Sequence, residues 1–249
     1  MRINQQLKEQ MKKKLKEIIT SPTTTRRLGD FICNFTAVVL GIIITFWGSD
    51  WIEERKQQNE VKKALSLVKN EMMINRECIE EMMKQEIFEK QGAQYLLQYI
   101  DCIEKASPDS LEKYDNFALL SRDYIYINDA MEMLKSSALL QSIDNKEIAT
   151  QLIKTYTAIE RAYKTATSYE NNKMNRGGKL LDNNEIQVFL VENRERNSWM
   201  KTWKFLFKYP EGITLIKSIY DTHSNPTQIY SQYLQAIDEA VAAIEKEYE

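Results

Sequence analysis

Apolar and polar positions alternate along most of this chain with a helical spacing of three to four residues, and the alternation stops between Phe31 and Ser49. That segment reads FICNFTAVVLGIIITFWGS, carries no charge, and is bounded by Asp30 and Asp50. Its nineteen residues span about 28 Å as a helix, the thickness of a bilayer's hydrocarbon core, so the pattern predicts one transmembrane helix over 31–49. Before it, Ile3, Leu7, Met11, Leu15 and Ile18 share one face while Lys8, Lys12, Lys13 and Lys16 lie elsewhere. This predicts a basic amphipathic arm over 1–30, interrupted at Ser21-Pro22-Thr23-Thr24-Thr25 and able to lie on an anionic lipid surface. The arm is long for a signal peptide, and no small-x-small cleavage site follows the segment.

After the span, residues 52–106 contain no proline and one glycine, Gly92. Leu65, Val68, Met72, Ile79 and Met82 keep helical spacing, predicting a long helix or stalk over 50–106. Its heptads are too interrupted to predict a coiled coil. Ser107-Pro108 signals a helix start, with Ser107 as N-cap, and opens a helical soluble domain over 107–249. Helices are expected over about 124–140, from Lys146 to Tyr169, from about Glu185, over 212–220, and from Asn225-Pro226 to the end. Asn171 to Asn184, with Gly177-Gly178 and Asp182-Asn183-Asn184, reads as a loop. The fold class is all-α: one N-terminal transmembrane helix, continuing as a stalk, plus a helical bundle.

Charge adds a direction. The formal net charge is −2. Residues 1–30 hold eight Lys/Arg and three acids, or +5, which leaves −7 for the rest. An acidic main domain is a poor partner for nucleic acid, whose phosphates call for a basic face. Trp47 and Trp51 with Phe46 mark one membrane interface, and Phe31 and Phe35 the other. Six Lys/Arg (Lys12, Lys13, Lys14, Lys16, Arg26, Arg27) fall in the twenty residues before the span, against five in the twenty after it. This bias orients the N-terminus toward the cytoplasm and the main domain outward across a bacterial inner membrane. Cys33, Cys78 and Cys102 are read as unpaired thiols.

Asn34, Ala37, Gly41, Thr45 and Gly48 recur on one face of the span. Small residues let transmembrane helices approach closely, so the stripe predicts homo-oligomerisation in the membrane; lining a pore is the alternative. Catalytic chemistry is not legible. His223 sits alone in a turn and reads as a surface residue. Glu80, Glu81, Glu86 and Glu89 read as a solvated helix face. No nucleophile elbow, phosphate loop or metal-ligand spacing occurs, so no cofactor and no enzymatic activity are expected. The run from Trp199 to Tyr209 reads as core packing with Lys201, Lys204 and Lys208 outward.

Two segments carry a likeness. Gly41-Ile-Ile-Ile followed by Asp50-Trp51-Ile52-Glu53-Glu54-Arg55-Lys56 resembles the span-then-W-x-E-E-R-K junction of a family of uncharacterised bacterial single-pass membrane proteins. Leu134-Lys135-Ser136-Ser137 and the downstream Ile143-Asp144-Asn145-Lys146-Glu147-Ile148 resemble that family's LKSSG…I-x-(D/N)-K-E-(L/I) segment, with Ala138 in place of the family's glycine. The resemblance implies an architecture and no activity. With the absence of chemistry, it leads to the expectation of a membrane-anchored interaction or scaffold protein that self-associates or binds a protein partner, with a channel or transport-associated subunit as the alternative.

Overall fold

The computed structural model describes residues 11–12, 22–193 and 198–248; between 22 and 34 it describes the backbone alone. Every element among the described residues is helical. Helix α1 spans Pro22–Gln98, followed by α2 (Pro108–Lys113), α3 (Asp129–Ser136), α4 (Lys146–Leu181), α5 (Asn184–Glu192), α6 (Trp199–Leu206), α7 (Pro210–Asp221) and α8 (Pro226–Tyr248). Short 3₁₀ turns sit at Ile103–Lys105 and Leu139–Ser142. The chain divides into two compact units, Met1–Asn59 and Glu60–Glu249.

In the first unit, α1 is described from Pro22 onward, so residues 22–25 of the expected break are helical, while Ser21 lies outside the described residues. Most of the expected arm (residues 1–10 and 13–21) lies outside the described residues, and Met11 and Lys12 are exposed. The apolar residues of the span are exposed on every side: Val38, Leu40, Ile42, Ile44 and Phe46 are all more than half exposed. Among the described residues this is the one helix long and apolar enough to cross a membrane.

The second unit is built on the remainder of α1. Val61, Leu65, Val68, Met72, Asn75, Ile79, Met82, Glu86, Glu89, Ala93 and Leu96 are all buried. Their spacing alternates between four and three without a slip, a sustained heptad stripe. On α4, Ile148, Leu152, Thr155, Ile159, Ala162, Ala166, Tyr169 and Lys173 repeat the same spacing, and Leu180 follows seven residues later. The two helices run parallel: Tyr156 reaches Glu71, and Lys173 reaches Glu89. Helix α8 runs antiparallel to α1, pairing Glu245 with Lys69, Asp238 with Arg76 and Tyr230 with Glu86. The expected boundary at 106–107 therefore falls inside this unit, because residues from 60 onward form its core rather than a separate stalk.

Other expectations are corrected by packing. Residues 171–181 belong to α4 instead of a loop, because Lys173 and Leu180 bury on its inner face. That burial outweighs the roughly 1 kcal/mol by which each of Gly177 and Gly178 disfavours a helix. The helix expected over 124–140 shortens to α3, since residues 120–128 are irregular and the Ile127 carbonyl accepts a bond from Asn75 Nδ2 at 2.7 Å. The starts at Pro108 and Pro226 hold, and Asn225 Oδ1 caps α8 by accepting from the Gln228 amide. Ser107 makes no side-chain cap; its amide instead donates to the Tyr95 hydroxyl at 2.8 Å. Trp203 and Leu206 are buried with Lys201 and Lys204 facing out, as the aromatic run suggests. Ala138 is the one non-glycine among the described residues with positive φ, at 60°.

Candidate functional site: a buried polar layer

Two apolar cores fill the second unit. One gathers Val61–Met82 of α1 with Ile148–Ala166 of α4 and the stripe of α8. The other gathers Ala93 and Leu96 with Leu180, Trp203, Leu206 and Leu215. Between them the heptad positions of both helices turn polar: Glu86 and Glu89 on α1, Tyr169 and Lys173 on α4, with Glu170 beside them. Their side chains are almost fully buried, at 4% for Glu86, 1% for Glu89, 5% for Glu170 and 2% for Lys173. The expected solvated acidic face is thus corrected: Glu81 is exposed and Glu80 half-buried, but Glu86 and Glu89 point inward.

Glu89 is the hub. Its two oxygens accept from Lys173 Nζ at 2.9 and 2.8 Å, from the Tyr169 hydroxyl at 2.6 Å and from Gln85 Nε2 at 2.7 Å. Lys173 also pairs with Glu170 at 2.9 Å, and Glu170 accepts the Arg122 amide at 3.3 Å. Buried ions persist only where such bonds replace water. Glu86 accepts from the Tyr230 hydroxyl at 3.1 Å and meets His223 Nδ1. His223 lies in the turn between α7 and α8, stacks on Tyr169 with ring centroids 6.1 Å apart, and keeps its side chain 20% exposed. It is therefore no isolated surface residue. Lys90 holds the same turn by donating to the carbonyls of Tyr220 and His223.

Burial, with Glu89 and Glu86 adding to it, pushes the phenols of Tyr169 and Tyr230 far above the ordinary tyrosine range, so both act as fixed donors. Burial likewise raises Tyr124 to about 12 and holds the Glu170 carboxyl above its usual value.

A second buried carboxylate has a structural task. Glu71 accepts from the amides of Ala130 at 2.7 Å and Met131 at 3.3 Å, and from the Tyr156 hydroxyl. Asn128, the N-cap of α3, makes no side-chain cap bond. Glu71 therefore satisfies from α1 the free amides at the α3 N-terminus, where negative charge is favoured.

Beside the polar layer lies a cavity of about 360 Å³ lined mainly by Leu119, Leu120, Met174, Leu181 and Leu190, with Lys173 on its wall. Leu120, Met174 and Leu181 are exposed. No group of His, Cys, Asp or Glu among the described residues is placed to hold a metal ion.

Of the residues singled out from sequence, Ala37, Gly41, Thr45 and Gly48 do share a face by helical spacing, and an added Cβ at Gly41 or Gly48 would meet open space. Thr45 Oγ1 donates to the Gly41 carbonyl at 2.7 Å, so its hydroxyl is satisfied within its own helix. Trp47 and Trp51 are exposed, and the Arg55 guanidinium lies 5.3 Å from the centre of the Trp51 ring. The side chains of Asn34, Arg26 and Arg27, and the whole of Lys13 and Lys16, lie outside the described residues. Cys78 and Cys102 are free thiols. The layer is hard to see in the sequence because polar side chains at heptad positions look like interruptions. The available signal was that Glu86 and Glu89 continue, without a slip, the register set by Ile79 and Met82. No protein-family model, curated protein or solved structure matches the chain.

Proposed function

We propose that this chain is a membrane-anchored interaction protein of the bacterial cell envelope. The span holds it in the inner membrane with the N-terminus cytoplasmic and the helical domain outside, and the chain self-associates through the small-residue face or receives a protein partner on its domain. The observation that carries this reading is the all-round exposure of the apolar side chains from Phe35 to Ile52, a surface that suits lipid and is costly in water. Arg55 over Trp51 fits an interfacial anchor. On the domain, the open cavity edged by Leu120, Met174 and Leu181 offers apolar area to a partner, while the buried charges are engaged with one another. The channel alternative has less support, because the Thr45 hydroxyl is used within its helix.

Single cysteines at Thr24 and Lys179, in a background lacking Cys33, Cys78 and Cys102, test the topology with a membrane-impermeant reagent on intact cells. Labelling at 179 alone is expected; labelling at 24 alone reverses the orientation, and labelling at neither removes the exposed domain. Self-association is tested by disulfide crosslinking in native membranes. Gly41→Cys is expected to crosslink and Ile43→Cys, on the opposite face, to stay monomeric; equal crosslinking at both sinks the helix–helix contact.

A further inference from the structure

The polar layer contains more buried negative charge than positive. Among the described residues, Glu86, Glu89 and Glu170 enter it with side chains at most 5% exposed, and Lys173 is the one cation that bonds their oxygens. Lys90 spends its bonds on the Tyr220 and His223 carbonyls, and Arg122 contributes its backbone amide. Tyr169, Tyr230 and Tyr124 face the layer as neutral phenols. Uncompensated buried carboxylates are strongly disfavoured, and two groups can correct the balance. A proton on His223 makes an imidazolium–carboxylate pair with Glu86, leaving Glu89 to Lys173. A proton on Glu170 removes the third charge. His223 is partly exposed, so protons have a route from solvent, and it is the chain's one histidine.

We propose that this layer is a proton-binding latch: His223 and Glu170 hold protons when the turn between α7 and α8 is closed on α1, and losing them as pH rises loosens that turn. The device rests on the domain's geometry alone, so it stands or falls independently of topology and oligomerisation.

The direction follows from both groups. Glu170, favoured neutral by its burial, adds stability that is present at low pH and lost as pH rises through its folded-state value. A neutral imidazole in the same place leaves Glu86 buried without a cationic partner, with the Tyr230 hydroxyl as its remaining strong donor. Stability of the domain therefore falls as pH rises.

The test uses the full chain in detergent micelles, without a histidine tag, melted by circular dichroism at pH 5.5 and 8.0. The melting temperature is expected to be lower at pH 8.0 than at pH 5.5 by a few degrees. His223→Gln is expected to remove about half the drop. The nearly isosteric Glu170→Gln should raise the melting temperature at pH 8.0 and flatten the profile. Amide-exchange protection over 220–228, corrected for intrinsic rates, should fall with pH, while Ala130 and Met131, held by Glu71, stay constant. A wild-type melting temperature that is flat or rises with pH overturns the proposal, as does an unchanged slope in Glu170→Gln. The Glu170→Gln result decides the matter even if His223→Gln fails to fold.

Discussion

Residues 35–52 and 61–96 belong to one helix, yet they place apolar side chains by opposite rules. In the first stretch they ring the helix and are exposed; in the second most lie on or beside one heptad stripe that buries against α4 and α8, while Leu67, Met73 and Ile74 stay exposed. Helix propensity does not distinguish the two, since both are helical throughout. What differs is the surroundings each pattern suits: an apolar ring suits lipid, the environment proposed above for this stretch, whereas a bundle accepts apolar groups on one face. The contrast also explains why polar residues mean different things in each. Thr45 satisfies itself on its own backbone, while Glu86 and Glu89 need partners supplied by other helices.

The comparison can be broken most severely at the layer. Lys173→Met leaves Glu89 and Glu170 buried without their cation and is expected to destabilise the second unit by about 3–5 kcal/mol in chemical denaturation, while leaving membrane insertion unchanged. Matched truncations come next. Leu65→Ala opens a cavity in the buried stripe and is expected to lose about 3 kcal/mol, whereas Leu40→Ala should not move the domain's melting at all. The converse pair is Leu40→Arg, expected to disfavour membrane integration by about 3 kcal/mol in an insertion assay and to leave domain stability alone. A smaller effect is expected from Glu71→Gln, which keeps shape but removes the charge facing the α3 N-terminus: about 1 kcal/mol, with exchange quickening first at Ala130 and Met131. Smallest is Ala138→Gly, expected to stabilise by about 1 kcal/mol or less, because alanine at φ 60° pays a steric penalty that glycine avoids.

Much of this architecture is legible in the sequence for physical reasons. The span is a local property of composition, and the proline starts at 108 and 226 are local geometry. The α4 extension was not legible because Gly177 and Gly178 are weak helix formers whose helix is decided by the burial of Lys173 and Leu180, a tertiary fact. Residues 124–128 failed as helix for the same reason: their place is fixed by Asn75 and Tyr124 reaching across the bundle, not by their own preferences. The candidate site was the least legible part. Its members lie far apart in sequence, at 86–89, 169–173, 223 and 230, and each alone resembles an ordinary surface charge or core tyrosine.

The placement of Lys173 opposite Glu89 also settles how α1 and α4 are aligned along their length. Their apolar heptads would interlock nearly as well after sliding by one repeat, about 10 Å. Such a slip would set Glu89 against Ala166 or Leu180, leaving a buried carboxylate facing a methyl or an isobutyl group and stranding Lys173 in one of the apolar cores. Only one alignment lets the charges meet, so the layer works as a key that selects a single register from two otherwise repetitive helices.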